Sequence, residues 1–382
     1  GNFPVFLETG PGNRYNKNNN AFYGGRIQAG KASRLTGGPE EKEEIYLNQS
    51  AAEFLEGLSE KKIGIIGVGV SHFELIRLFL RKGAAVTVLD RRNREELGED
   101  YEVLAGEGAR FRLGEGYLQG LENYDLVFRS PGMYFNHPAL TAARQNGAAV
   151  VSEMEVFFAL CPCRIFAVTG SDGKTTTSTL ISEFLKAEGK QVHLGGNIGR
   201  ALLPEIEQIR PEDVCVVELS SFQLISMRRS PDVAVITNIS PNHLDVHGTM
   251  EEYVDAKKNI LWHQDGCSRA VLNLDNPPTA ALAPLVRGSL SWFSRMKRPE
   301  RGAFLDGEGW LWRCCGPEAE RLLHQDEIRI PGMHNVENYL TAISAVGQEV
   351  SIQSIQRVAR EFGGVEHRIE FVRELEGVRY YN

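Results

Sequence analysis

An α/β protein of two successive parallel-sheet units is what this sequence predicts, and two observations predict it. From about residue 46 onward short, continuously apolar runs alternate with amphipathic helical stretches, and two of those runs end in glycine-containing turns that lead straight into a helix. Strands apolar on both faces belong to sheets covered on both sides, which requires crossover helices and parallel order. The chain has 382 residues, more than one hydrophobic core usually serves, so several domains are expected.

Residues 1–45 are rich in Gly, Asn and charge ("GNRYNKNNN", "GGPEEKEE") and carry no sustained periodicity; they read as a disordered or non-native leader. Residues 46–152 form the first unit, with strands in "KIGIIG", "AAVTVLD", "ARFRLG", "DLVFRS" and "AAVVS" and a helix in "HFELIRLFLRKG". Residues 153–363 form the second and larger unit, with strands in "RIFAVTG", "DVCVVELS", "DVAVITNIS" and "RAVLNLD" and a helix in "NVENYLTAISAVGQEV". Residues 364–382 hold two strand-like runs with no helix after them and read as the start of a third domain.

At 42% hydrophobic and 24% charged, the composition is that of a soluble globular protein. A net charge of −8 offers no basic stripe to nucleic acid or to an anionic membrane, so a small-molecule substrate is expected. No apolar run approaches the roughly 18 residues of a membrane span, and no signal-peptide pattern opens the chain. The expectation is a cytoplasmic monomer that neither inserts into membranes nor binds nucleic acid. The six cysteines, Cys161, Cys163, Cys215, Cys267, Cys314 and Cys315, match no zinc spacing and read as ordinary reduced thiols.

In "AVTGSDGKTTTSTL" (167–180) a glycine-rich turn, a lysine and a threonine cluster lie between an apolar run and a helix. Each threonine costs a helix roughly a few tenths of a kcal/mol against alanine, so their crowding at 175, 176, 177 and 179 needs a reason beyond local stability. Gly170 and Gly173 permit a turn whose backbone N–H groups converge on an anion, and Lys174 adds charge for the outer phosphates. The Thr175 hydroxyl is then placed to hold Mg²⁺. The strict GxxxxGKS/T pattern is missed, because Val168 stands where its first glycine belongs.

"GIIGVGVSHFELI" (64–76) follows the same logic more weakly: Gly67 and Gly69 are present, His72 replaces the third glycine of GxGxxG, and Asp90 ends the next strand. A dinucleotide site, a plain α/β turn, and a nucleotide diphosphate held by Val70, Ser71 and Asp90 all remain open. Glu218, in "VVELSSFQL", falls at the C-terminal end of a strand, where open α/β sheets place ligands, and could complete a Mg²⁺ shell with Thr175. "NHLDVH" supplies His243, Asp245 and His247, which suit either loop polar groups or a metal, and Lys257 and Lys258 follow.

These motifs, taken in order, resemble the Mur ligases of bacterial peptidoglycan synthesis over about residues 46–382. The family's GT-N-GKT loop is here "GSDGKTT", with Asp172 for the usual Asn, and "RSPG" (129–132), "GGNIG" (195–199), "ELSSFQL", "NHLDVH", "YVDAK" and "PGMHNVEN" look like family motifs. "SSFQL" favours the branch that adds D-glutamate to UDP-N-acetylmuramoyl-L-alanine. The resemblance implies a Rossmann-like N-terminal domain, a P-loop-type central ATPase domain and a truncated Rossmann-like C-terminal domain needed for turnover.

By the same resemblance, Val70, Ser71, Asp90 and Arg92 would bind the UDP part, with Ser130 and Gly132 at the diphosphate and Asn197 and Ser220 near the muramoyl group. ATP would lie on Gly170, Ser171, Asp172, Gly173, Lys174, Thr175 and Thr176, with Asn335 and Asn338 facing adenine and Arg368 arriving from the third domain. One Mg²⁺ would sit with Thr175 and Glu218, the other with His243 and a carbamate on Lys257. The implied reaction phosphorylates the alanyl carboxylate with ATP, and the amine of D-glutamate then displaces phosphate.

Overall fold

The computed structural model describes residues 49–241, 249–365, 371–375 and 378–381. The expected leader at 1–45 lies outside them. The first sheet comprises β1 (Lys62–Ile66), β2 (Ala85–Asp90), β3 (Arg110–Leu113), β4 (Leu126–Phe128) and β5 (Ala149–Val151), all parallel, in the order β3-β2-β1-β4-β5. Its helices include α1 (Val70–Arg81), α2 (Glu99–Gly106) and α3 (Pro138–Gln145). Ile63, Ile65 and Ile66 of β1 are all buried, as expected of a strand covered on both faces. The apolar stripe of α1, Leu75, Ile76, Leu78 and Phe79, packs on one side, where Phe79 meets Phe128 at a ring-centroid distance of 5.1 Å.

α4 (Glu153–Leu160) leads out of this sheet. Its start is fixed by a capping box: Ser152 Oγ accepts from Glu155 N, and the Glu155 carboxylate accepts from Ser152 N. The second sheet has nine strands: β6 (Arg164–Thr169), β7 (Val192–Gly196), β8 (Val214–Glu218), β9 (Val233–Ile236), β10 (Arg269–Asn273), β11 (Ser289–Ser294), β12 (Arg301–Leu305), β13 (Trp310–Cys315) and β14 (Glu318–His324). Their order is β14-β13-β12-β11-β10-β9-β6-β8-β7. α5 (Lys174–Ala187), α7 (Met333–Val346) and α8 (Ile352–Glu361) cover one face, with Phe184 edge-on to Tyr339 at 6.0 Å, and α6 (Met250–Trp262) lies on the other. β15 (Phe371–Leu375) and β16 (Val378–Tyr381) pair antiparallel with each other.

The second sheet departs from the expected all-parallel order at one edge, where β13 runs antiparallel to both β12 and β14. The cause is local. Asp306 in "LDGEG" accepts through Oδ1 from Glu308 N and Trp310 N and through Oδ2 from Trp312 Nε1, so the chain folds straight back as a hairpin. Elsewhere the order places a ligand crevice. β1 lies between β2 and β4, and β6 between β8 and β9, so in each sheet successive connections leave the central strand in opposite directions. The C-terminal ends of β1 and β6 are therefore topological switch points, and each is followed by one of the glycine turns.

Candidate functional site

The turn after β6 is held open from below. Gly170 and Gly173 have φ of +151° and +76°, and a Cβ at either would strike Thr237 Oγ1 or Asn338 Oδ1. Glycine is therefore required both by backbone conformation and by close approach. The end of β9 clamps the turn: Ser171 N donates to Asn238 O (2.9 Å), Asp172 N to Asn238 Oδ1 (2.9 Å) and Thr237 Oγ1 to Asp172 O (2.6 Å). The Ser171 hydroxyl donates to Ser240 O and sits 3.1 Å from the Tyr253 hydroxyl. Tyr253 opens the "YVDAK" motif, whereas the motifs do not single out Thr237 and Asn238, for which the "TNIS" stretch at a strand's C-terminal end is the available signal.

Lys174 Nζ donates to Gly170 O and Ser171 O, folding back across the turn at the head of α5. The helix-start threonines divide by role. Thr175 Oγ1 donates to Glu218 Oε2 at 2.7 Å, Thr177 Oγ1 to Asn338 Oδ1 at 3.3 Å, and Thr179 Oγ1 returns to Thr175 O. Glu218, at the end of β8, is buried, and its other oxygen accepts from Asn197 Nδ2 at 2.9 Å. Thr175 and Glu218 thus meet as the sequence predicts. Asn197, expected near a sugar, directs its amide to Glu218, and the Ser220 hydroxyl caps the short helix Ser221–Leu224.

Lys257 reaches the same turn from α6. It is 1% exposed; Nζ donates to Gly170 O (3.0 Å) and Thr169 Oγ1 (3.2 Å) and lies 4.6 Å from the centroid of the Tyr253 ring. Burial, with the Lys174 charge adding to it, pulls its ammonium down to about 7. His243, with Asp245 and His247, lies outside the described residues, as does Arg368. Asn335, Asn338, Thr176 and Gly173 line a cavity of about 170 Å³ between α5 and α7. A chain of amides runs behind it, from Asn338 Nδ2 to Asn335 Oδ1 and from Asn335 Nδ2 to Pro331 O.

A second cavity, about 570 Å³, opens at the C-terminal end of β1 and includes Ser71, Asp90, Arg92, Ser130 and Gly132 in its wall. Asp90 is buried and accepts from Val68 N, Arg92 N and the Arg92 guanidinium. Burial alone would raise its carboxyl, but Arg92 and the two backbone N–H groups outweigh that and hold it below the ordinary range. Val70 opens α1 at 70% exposure and is not among the wall residues. His72 explains the missing third glycine: its buried ring puts Nδ1 3.0 Å from Gly67 O and 3.2 Å from Ile66 O, and so braces the turn. Burial pushes that imidazole down, towards the neutral form in which Nδ1–H donates. Arg129, fully buried, donates to Ser226 Oγ (2.6 Å) and Phe222 O (3.2 Å) and so joins the end of β4 to the segment after β8.

Comparison with known proteins accords with this paired arrangement. Residues 61–152 match the model of the Mur ligase MurD-like N-terminal domain, and residues 168–346 match that of the Mur ligase middle domain. A protein of Acetivibrio thermocellus named UDP-N-acetylmuramoylalanine--D-glutamate ligase is 48% identical over 336 residues, covering 88% of this chain and 72% of its own length. The chain belongs to the MurD-like Mur ligases. A Clostridium novyi protein of the same name is 45% identical over 86% of this chain and 71% of its own length. Among solved structures, the fold of this Mur ligase is shared with a murein peptide ligase from Psychrobacter arcticus (17% identity, TM-score 0.54, 84% of this chain and 72% of that one). It is shared also with a UDP-N-acetylmuramate-alanine ligase from Thermotoga maritima (20% identity, TM-score 0.52, 84% and 73%).

Proposed function

We propose that this Mur ligase is an ATP-dependent amide ligase that adds D-glutamate to UDP-N-acetylmuramoyl-L-alanine through an acyl phosphate, as a cytoplasmic enzyme of peptidoglycan precursor synthesis. The names of the relatives at 44–48% identity support the substrate pair. The observation that carries the reading is the junction at β6, where Lys174, Thr175, Glu218 and Lys257 converge on one phosphate-binding turn while a separate cavity opens on the first sheet.

The uridine nucleotide would occupy the first cavity, with Ser71, Ser130 and Gly132 toward the diphosphate and Asp90 with Arg92 at its floor. ATP would lie over the turn, its phosphates met by backbone N–H groups and by Lys174, which exchanges two carbonyl partners for anionic oxygens. Asn335 and Asn338 face the adenine side. Thr175 and Glu218 would hold one magnesium ion, a buried carboxylate beside a hydroxyl being a hard-oxygen pair that suits it, and Lys257, once carbamylated, would serve a second. The bound ion supplies charge against the two anions that must meet. Lys257, whose ammonium is pulled down far enough for a substantial share of neutral amine near pH 7, is suited to take up CO₂ and become a carbamate ligand. With carboxylate and triphosphate aligned, the alanyl carboxylate takes the γ-phosphoryl group; the D-glutamate amine then forms the amide bond as the carbonyl carbon releases phosphate.

The test is ADP release and product mass for the full-length gene product with UDP-N-acetylmuramoyl-L-alanine and D-glutamate, against L-glutamate and L-lysine. Amide formation confined to D-glutamate is the expected result. Equal turnover with L-lysine, or ADP release that ignores the UDP substrate, would sink the reading.

A further inference from the structure

Three cysteines with no zinc spacing in sequence meet at the end of β6 remote from the phosphate-binding turn. Cys161 follows α4, Cys163 precedes β6, and Cys215 is the second residue of β8. The β6–β8 register pairs Ile165 with Cys215, which puts Cys163, two residues before Ile165, on the same side of the sheet as Cys215. The Sγ atoms form a nearly regular triangle: 3.7 Å from Cys161 to Cys163, 3.7 Å from Cys161 to Cys215 and 3.5 Å from Cys163 to Cys215.

We propose that Cys161, Cys163 and Cys215 form a tris-thiolate site for a thiophilic d10 cation, zinc(II) in the first instance, which ties the connection between the two sheets to the central sheet. Zinc–sulfur bonds of about 2.3 Å in a tetrahedron put neighbouring sulfurs roughly 3.8 Å apart, so the triangle already lies close to three vertices of that figure. An ordinary core thiol behaves as a small hydrophobe packed against carbon; here each sulfur lies within contact distance of the other two. Binding replaces three S–H protons by three S–Zn bonds and releases those protons, leaving one net negative charge. Cys161 is only partly buried, so water can reach the fourth position. His193, paired with Cys215 across β7 and β8, has its Nε2 committed to Asp213 Oδ2 at 2.9 Å. About seven residues of extended chain, roughly 20 Å, separate Cys163 from the turn at Gly170, so the site is independent of the proposed ATP site.

The experiment uses reduced, metal-stripped protein in which the exposed thiols are removed as Cys267→Ser and Cys315→Ser. Cadmium is titrated as an optical probe, followed by zinc, and the zinc form is examined by X-ray absorption. One equivalent of cadmium with thiolate-to-metal charge-transfer absorption, displaced by zinc, three sulfurs at about 2.3 Å, and a metal-dependent rise in melting temperature are expected. Adding Cys215→Ala should abolish binding; should that core variant not fold, Cys161→Ser at the partly exposed position should cut the sulfur count to two and weaken binding at least tenfold. A folded parent that takes up no stoichiometric metal, or uptake that Cys161→Ser leaves unchanged in affinity and sulfur count, overturns the proposal.

Discussion

Lys257 and Lys258 are neighbours in sequence with opposite fates: Lys258 pairs with Asp255 on the surface at 2.6 Å, whereas Lys257 turns inward beneath the glycine turn that follows β6. The resemblance through "YVDAK" points to Lys257, and helical phase agrees, since Tyr253, Ala256, Ile260 and Leu261 recur at the spacing of one buried face and Lys257 falls on it. The inward lysine makes stability depend on pH. Its folded value, about 7, lies below the ordinary 10.5, so between those values the unfolded chain holds a proton that the folded chain does not. Stability therefore rises with pH through that window, and the burial cost is greatest below about pH 7. In CO₂-free buffer, the stability of Lys257→Met relative to the parent should be higher at pH 6.5 than at pH 10, by at least about 1.4 kcal/mol, the worth of one pKa unit. Urea unfolding across that range checks it; a gain independent of pH would contradict the buried ammonium. At pH 8 in ¹³C-bicarbonate, a carbamate resonance should appear in the parent protein and be absent from Lys257→Met.

Elements were legible wherever local pattern and topology agree. The strands β1, β2, β4 and β5 of the first sheet and β6, β8, β9 and β10 of the second fall within the apolar runs, because a parallel strand buried on both faces needs an unbroken apolar stretch, and the edge strand β3, "RFRL", falls within its run although none of its residues is buried. β7 was missed because "VHLGG" is short and glycine-rich, β11 and β12 were missed as well, and β13 with β14 because their faces alternate and the reversal into β13 depends on the Asp306 turn. The start of α5 illustrates the opposite case, a helix that forms although the propensity of its threonines argues against it. Gly173→Ala places a Cβ at φ +76° against Asn338 and should destabilise the fold by about 1–3 kcal/mol while weakening adenine-nucleotide binding. Denaturant unfolding with a nucleotide titration measures both. Thr175→Val removes the hydroxyl from Glu218 and leaves one carboxylate oxygen short of a partner, at a cost of about 1–3 kcal/mol. Unchanged stability there would mean that water replaces the hydroxyl.

Across the whole molecule the two glycine turns occupy equivalent places, one at each sheet's switch point, yet they differ in detail. The first lost its third glycine to His72 and gained the Asp90–Arg92 pair; the second gained Lys174 and the Thr175–Glu218 contact. That difference was legible from residue types, whereas the clamp by Thr237 and Asn238 and the bridge by Arg129 were not, since they join segments 65 to 97 residues apart. Among the described residues no helix is long and apolar enough to cross a membrane. In the proposed arrangement the first sheet takes the uridine nucleotide and the second takes ATP, a division that calorimetry of Lys174→Ala with each ligand separates. Loss of a charged partner worth about 1.5–3 kcal/mol should weaken ATP binding roughly ten- to hundredfold and leave UDP-N-acetylmuramoyl-L-alanine binding within twofold of the parent. Equal weakening of both ligands, or ATP affinity unchanged, would contradict the assignment.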